Sequence, residues 1–168
     1  MKIGQFSDSF LPIVDGVGRV VYHYASALSK RGEECYVVAP MADTGYRGGY
    51  PFELVDFVSM KVPRQRQYNT GIPSLDTHYD ARMRNINLDI IHAHSPFIAG
   101  LEAQRLSRRR NIPMIGMFHS RYYDDFYQYT RAEMLANIAV ATIVNFYQRC
   151  DEVWTVSQSS AETLHDYG

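Results

Sequence analysis

Residues 2 to 18 read KIGQFSDSFLPIVDGVG, and this stretch decides the fold. Lys2 to Phe6 is a short strand in which Ile3 and Phe6 are apolar and Gly4 leaves room for close packing. Ser7 to Asp15 breaks into a loop that Gly16 and Gly18 close. Val17, Val20, Val21, Tyr24 and Leu28 then recur at spacings of three and four, the pattern of an amphipathic helix. Asp15 stands where a helix cap belongs. A strand, a glycine-bearing loop and a helix N-terminus in succession aim backbone N–H groups and the positive end of a helix dipole at one spot in front of the loop. Anions and crowded hydroxyls are the ligands such a spot favours.

The pattern repeats downstream. Arg31-Gly32 ends the helix with a cation and a glycine cap. Glu34 to Pro40 is a second strand stopped by its proline, Met41 to Tyr50 a glycine-bearing loop, and Phe52 to Val58 a third strand. Pro63 to Pro73 is polar, basic and irregular, and Ser74 is expected to cap a helix with Leu75, Tyr79 and Met83 on one face. Asp89 to His94 is a short buried strand, and Pro96 opens a helix from Phe97 to Arg110. Pro113 to Phe118 is the next strand, ending at His119-Ser120. An aromatic-rich loop leads to a long helix, about Arg131 to Gln148; Glu152 to Val156 is the last strand, and a helix begins near Ser159 or Ser160.

Strands alternate with helices throughout. That predicts right-handed βαβ units and a Rossmann-like three-layer α/β/α domain with a mainly parallel sheet. Ligands of such sheets bind beyond the carboxyl ends of the strands. Five segments occupy those ends: Ser7 to Gly18, Pro40 to Gly49, His94 to Phe97, His119 to Tyr123 and Ser157 to Ser159.

The totals fit this reading. At 168 residues the chain makes one domain with a core of its own. A net charge of -1 with 46% hydrophobic residues gives no electrostatic footprint for nucleic acid, and no nucleic-acid partner is expected. Two cysteines, Cys35 and Cys150, fit a reduced cytoplasmic setting. Met1-Lys2 runs straight into strand, so no secretory signal is expected, and no apolar run approaches the ~20 residues that span a bilayer.

Several segments together resemble one family. Phe6-Ser7-Asp8-Ser9-Phe10-Leu11-Pro12 followed by Gly16-Val17-Gly18-Arg19-Val20 is similar to the opening of the family-four retaining glycosyltransferases, two-domain enzymes of the GT-B architecture. Leu88 to Pro96 resembles the family's D-(V/I)-I-H-x-H segment, Ile112 to Ser120 its I-P segment ending in His, and Asp151 to Ser157 its A-D-x-(V/I)-(I/V)-x-(V/L)-S segment. The chain departs from the family in one place: Val17 separates two glycines that are often adjacent there. The resemblance implies the acceptor-side N-terminal half of such an enzyme over residues 1 to 168, with the nucleotide-sugar domain beyond it and no transfer by this half alone. It implies a nucleotide diphosphate-sugar donor, a hydroxyl acceptor on a lipid or glycan, and no cofactor. FHSRYYDDFYQY, residues 118 to 129, is most similar to bacterial enzymes that glycosylate diacylglycerol lipids. A lipid acceptor would set the protein at the inner face of the membrane as a peripheral protein.

The candidate site residues each carry two readings. Gly16 and Gly18, with Asp15, either bring backbone close to the donor diphosphate and the acceptor or form a plain strand-to-helix turn. His119 is the candidate catalytic residue. By resemblance it contacts the transferred sugar near the reacting carbon; otherwise it is a buried, satisfied histidine. It is not assigned as a general base, because these retaining enzymes are described as front-face reactions in which the departing phosphate takes the acceptor proton and the protein supplies positioning and charge stabilisation. His92 and His94 share a strand face, but no further ligands complete a metal pattern, so no metal is expected. His94, at the strand end, is placed in the acceptor pocket with Ser120 and Tyr123, and His92 in the structure. Tyr122, Tyr123, Phe126, Tyr127 and Tyr129 either stack on sugar rings and acyl chains or form core, and Asp124 and Asp125 are acceptor contacts or solvated charge. Arg105, Arg108, Arg109 and Arg110, joined by Arg64, Arg66, Arg82 and Arg84, either compensate helix dipoles or meet an anionic membrane surface.

The rival reading is a free-standing, non-catalytic α/β nucleotide- or ligand-binding module. Its dinucleotide version is disfavoured, because no third glycine follows Gly16-Val17-Gly18 and no acidic residue closes the second strand.

Overall fold

The computed structural model describes residues 1–11, 15–40, 48–62, 65–119 and 122–168, with side chains described for all of these but 62, 65–68, 124, 125, 129 and 130. Pro12, loop residues 41–47, Arg64 and Ser120 lie outside the described residues, as do the side chains of Arg66, Asp124, Asp125 and Tyr129.

In chain order the elements are β1 (Lys2–Phe6), α1 (Gly16–Lys30), β2 (Glu34–Pro40), β3 (Glu53–Phe57), β4 (Ser59–Val62), β5 (Gln65–Gly71), α2 (Thr77–Asn85), β6 (Ile90–Ala93), α3 (Ile98–Arg110), β7 (Met114–Phe118), α4 (Tyr122–Thr130), α5 (Glu133–Tyr147), β8 (Glu152–Thr155) and α6 (Gln158–Tyr167). The main sheet has the order β3-β2-β1-β6-β7-β8, and every neighbouring pair in it is parallel. The chain steps outward from β1 through β2 to β3, then returns to the other side of β1 at β6. The strand order therefore reverses between β1 and β6, and the crevice of a doubly wound sheet opens at that reversal.

The two faces of the sheet are unequal. Phe6, Val38, Val55, Phe57, Ile91, Met114 and Phe118 point to one face, where Tyr79 and Met83 of α2, Ala103 and Leu106 of α3, and Ile143, Phe146 and Tyr147 of α5 cover them. Ile3, Cys35, Val37, Ala39 and Leu54 alternate to the other face and meet Val21 and Ala25 of α1. Burial on both faces explains why β2 reads ECYVVAP with hardly a polar break. Gly4 is required here: a Cβ would lie 2.7 Å from a Leu88 methyl and 2.8 Å from the Phe6 ring.

Three local expectations are corrected. Residues 65–71 are not irregular: β5 pairs antiparallel with β4, outside the main sheet. Their sequence, QRQYNTG, carries no apolar alternation because the pair does not share the main sheet's core. Ser74 does not cap the next helix. Asp76 does, accepting from the N–H groups of His78 and Tyr79 at 3.0 Å each, while Leu75 falls in a separate 3-10 turn and stays 76% exposed. The aromatic stretch after His119 is not a loop but the helix α4, in which Tyr122 and Phe126, four apart, turn toward Phe97 at ring-centroid distances of 5.9 and 6.5 Å.

Candidate active site

The site is built at the carboxyl ends of β1, β6 and β7. Where β1 ends, the Ser7 N–H donates to Val38 O at 3.0 Å and the Ser7 hydroxyl donates to Ser9 O at 2.7 Å, so the exit turn is anchored to β2 and to itself. Where β6 ends, the His94 N–H donates to Phe6 O at 2.8 Å. The two tips are then tied by side chains. Ser95 Oγ accepts from the Asp8 N–H at 3.0 Å and donates to Asp8 Oδ2 at 2.6 Å, and the other Asp8 oxygen accepts from the Ala99 N–H at 3.0 Å. Asp8 therefore caps α3 from another strand, replacing the cap that Phe97 lacks. Burial pushes the Asp8 carboxyl up, against the Ser95 and helix N–H bonds that pull it down.

Asp15 begins α1. Its Oδ1 accepts from the Gly18 N–H at 2.7 Å and its Oδ2 from the Ser9 hydroxyl, which joins the helix start to the β1 exit. The glycines are thus the first turn of the helix rather than a loop before it. Gly18 is buried with its N–H held by the cap. Gly16 is exposed, and a Cβ there would meet nothing within 4 Å, so the protein itself does not require glycine at this position.

His94 is wholly buried, and both its ring nitrogens are engaged: Nε2 lies 2.6 Å from Gln5 Oε1 and Nδ1 lies 3.3 Å from His119 Nε2. No part of its side chain is exposed, and its contact toward the strand tips is with His119. His92 lies beside it with the rings tilted and their centroids 4.1 Å apart, and meets Tyr24 and Trp154 edge-on. Burial lowers all three histidines: His92 to about 4, His94 well below the usual range, and His119 in the same direction, with the Asp15 carboxylate opposing the shift. That influence joins the α1 turn to the β7 tip. Asp15, His94 and His119 come together although 104 residues separate the first from the last (119 − 15). Three neutral imidazoles in a row offer hydrogen bonds and no net charge. Among the described residues no group of three or more His, Cys, Asp or Glu side chains is placed to hold a metal ion.

Tyr123 lies at the start of α4, where its N–H donates to the Tyr167 hydroxyl at 3.0 Å and its ring is stacked parallel to Tyr127. Ser120 is outside the described residues. The arginines divide. Arg105 grips the buried Glu102 with two bonds of 2.6 Å, Arg110 caps the carbonyls of Ile86 and Met83, Arg82 pairs with Glu53 and Asp56, and Arg84 pairs with Asp80. Arg108 and Arg109 remain exposed at the end of α3, which returns to the start of β7, at the rim opposite the histidines. An open cleft of about 680 Å³ lies at that opposite rim as well, by the starts of β2 and β3, and Glu33, Glu34, Glu53 and Asp56 line it. Its carboxylates oppose a phosphate ligand.

Two residues of the site escaped the sequence reading, Gln5 and Asp8. Each had a signal. Gln5 is the one amide inside an otherwise apolar β1 interior, and Asp8 stands in the strand-exit run Phe6-Ser7-Asp8, although the helix it caps is α3 and not the α1 that follows it in sequence.

The family model for Glycosyltransferase Family 4 matches residues 14–168. A GDP-mannose-dependent alpha-mannosyltransferase of Corynebacterium glutamicum is 30% identical over all of this chain and 41% of its own length. An alpha-monoglucosyldiacylglycerol synthase of Acholeplasma laidlawii is 27% identical over 74% of this chain and 31% of its own length. The chain thus spans less than half the length of these relatives. The solved sucrose-phosphate synthase of Thermosynechococcus elongatus superposes with a TM-score of 0.75 at 15% identity, over 98% of this chain and 44% of that one. The parallel sheet and its reversal between β1 and β6 fit one half of a GT-B fold, and with the family model running from residue 14 to residue 168 the chain belongs to glycosyltransferase family 4.

Proposed function

We propose that this chain is the acceptor-side N-terminal domain of a retaining glycosyltransferase that moves a sugar from a nucleotide diphosphate-sugar to a hydroxyl on a lipid acceptor. The observation that carries the reading is the meeting of Asp15, His94 and His119 at the strand reversal. In this reading the exposed backbone at Gly16 approaches the donor diphosphate, helped by the positive end of α1. His119 holds a sugar hydroxyl, and the departing phosphate takes the acceptor proton. The domain contributes orientation and hydrogen bonds, and transfer requires a nucleotide-sugar domain beyond residue 168.

The lipid acceptor rests on two supports. Two relatives are named as alpha-monoglucosyldiacylglycerol synthases. The second support is α5, which begins at the rim of the strand carboxyl ends and exposes Met134, Leu135 and Ile138 with no charge between Glu133 and Arg149. Among the described residues no helix is long and apolar enough to cross a membrane, so such an acceptor would be met from the surface, as a peripheral protein meets the inner leaflet.

The test is an assay of the full gene product with UDP- and GDP-sugars and diacylglycerol in vesicles. Retained anomeric configuration in a lipid product supports the reading, as does its loss with His119→Ala. Residues 1–168 alone are expected to give no product. Turnover by that fragment at the full protein's rate overturns the division of labour.

A further inference from the structure

We propose that Gln5 and His94 are positioning residues that fix the tautomer of His119. The Gln5 carbonyl holds His94 as its Nε2–H form, His94 Nδ1 accepts from His119 Nε2–H, and His119 is left with an Nδ1 lone pair for a ligand hydroxyl. The geometry is a single line of bonds across three strands. Gln5 lies on β1, His94 at the tip of β6 and His119 at the tip of β7, with contacts of 2.6 Å and 3.3 Å. A carbonyl oxygen only accepts, so the His94 nitrogen facing it must carry the hydrogen. A neutral imidazole has one N–H, so His94 Nδ1 is an acceptor, and the His119 nitrogen facing it must be the donor. The argument passes to the other end of His119: Nδ1 has no hydrogen there and is bonded to nothing among the described residues.

The surroundings leave little freedom to the chain. Gln5 and His94 are fully buried, so water does not substitute for either partner. Burial keeps the His94 and His119 rings neutral near pH 7, which a one-hydrogen relay requires. Asp15, the carboxylate whose charge reaches His119, has its own oxygens occupied by the Gly18 N–H and the Ser9 hydroxyl. The other end of the Gln5 amide, Nε2, has no partner. A reversed amide would turn every bond round and present an N–H from His119 at the same point, so one buried amide decides whether the site accepts or donates.

This deepens the proposed function and rests on it only for the identity of the hydroxyl. A lone pair at Nδ1 selects a ligand group that donates. A hydroxyl fits. A fluorine in the same place, which can only accept, does not, and at that sugar position the deoxyfluoro donor should react about tenfold slower or worse through loss of one hydrogen bond to a buried-side partner.

The test reads the tautomers directly, in the full gene product labelled with 15N in its histidine rings. Long-range 1H–15N correlation spectra distinguish Nε2–H from Nδ1–H. The expected result is Nε2–H at both His94 and His119. In Gln5→Met, which removes the carbonyl at similar volume, the His119 pattern should move toward Nδ1–H. Nδ1–H at His119 in the parent protein overturns the proposal, and so does a Gln5→Met spectrum unchanged at His119. Should Gln5→Met fail to fold, the parent spectrum decides alone. The readout needs no turnover: the expected tautomers in a protein that transfers no sugar refute the glycosyltransferase reading and leave the relay standing, and transfer with His119 as Nδ1–H does the reverse.

Discussion

The Asp8 carboxylate and the Ala99 N–H, 91 residues apart, are joined by a bond of 3.0 Å. It runs from the exit of β1 to the first turn of α3, and so crosses the strand reversal where the crevice opens. A helix N-terminus pointed into such a crevice is a ready anion site. Here α3 is closed by the protein's own carboxylate, and the exposed terminus beside it is that of α1, at Gly16.

Asp8→Ala should therefore act on stability before it acts on ligand. Loss of an N-cap costs about 1–2 kcal/mol, and the variant also takes away the carboxylate oxygen to which the Ser95 hydroxyl donates. Asp8→Asn, which keeps one acceptor oxygen, should lose less. Urea midpoints of the two variants at equal slope check this, and equal midpoints for Asp8→Ala and the parent would contradict the capping role.

Acid should loosen the fold through the histidines. His92 is lowered to about 4 by burial, whereas the unfolded chain titrates near the ordinary value of 6.5. Between those limits the unfolded state binds a proton that the folded state does not, so stability rises with pH and is lost as pH falls, by at most about 1.4 kcal/mol per pH unit for one such histidine. Above the upper limit both states are neutral and the effect vanishes. His92 Nε2 is also a buried atom without a partner. His92→Phe keeps a ring between Tyr24 and Trp154, should be neutral or mildly stabilising near pH 7, and should flatten the acid fall of the thermal midpoint. An equally steep fall in the variant would place the effect elsewhere.

Two glycines should behave oppositely. A Cβ on Gly100 would stand 1.9 Å from Ser95 O, a backbone atom, so Gly100→Ala should destabilise by several kcal/mol, on the order of 3 as for severe overpacking. A Cβ on Gly16 meets nothing, and alanine is favoured over glycine in a helix by about 1 kcal/mol, so Gly16→Ala should hold or raise the melting temperature. If the donor diphosphate approaches this backbone, the same variant should raise KM for the nucleotide-sugar in the full gene product. Unchanged KM would return Gly16 to a plain helix start.

The α5 surface makes a separate prediction. Met134→Ser with Ile138→Ser removes apolar groups that are 71% and 58% exposed, so folding stability should change little. Partition of the full gene product onto vesicles carrying anionic lipid and diacylglycerol should fall several-fold, in line with roughly 0.8 kcal/mol per buried methylene lost. Unaltered cosedimentation would remove α5 from the lipid-facing surface.

The expectation that Ser74 caps a helix failed because several side chains in that stretch can cap, and only the fold of β4 beside it, whose neighbour Val58 also donates to Asp76, selects Asp76. The loop reading of residues after His119 failed for a different reason. Dense aromatics mask the spacing of four that links Tyr122 to Phe126 and Tyr123 to Tyr127, the helical signal itself.

The chain's own order of residues determined the alternation of strands and helices, the parallel sheet and the family, because periods of two and three to four and the small-residue positions act over a few neighbours at a time. It also marked Asp15, Gly16, His94 and His119 as strand-tip residues. Only the tertiary structure decided that His94 is sealed behind His119, that Gln5 stands at the far end of their line of bonds, and that Asp8 closes α3. Those facts depend on which strands lie side by side, and the β3-β2-β1-β6-β7-β8 order is settled by burial across the whole sheet rather than by any one segment.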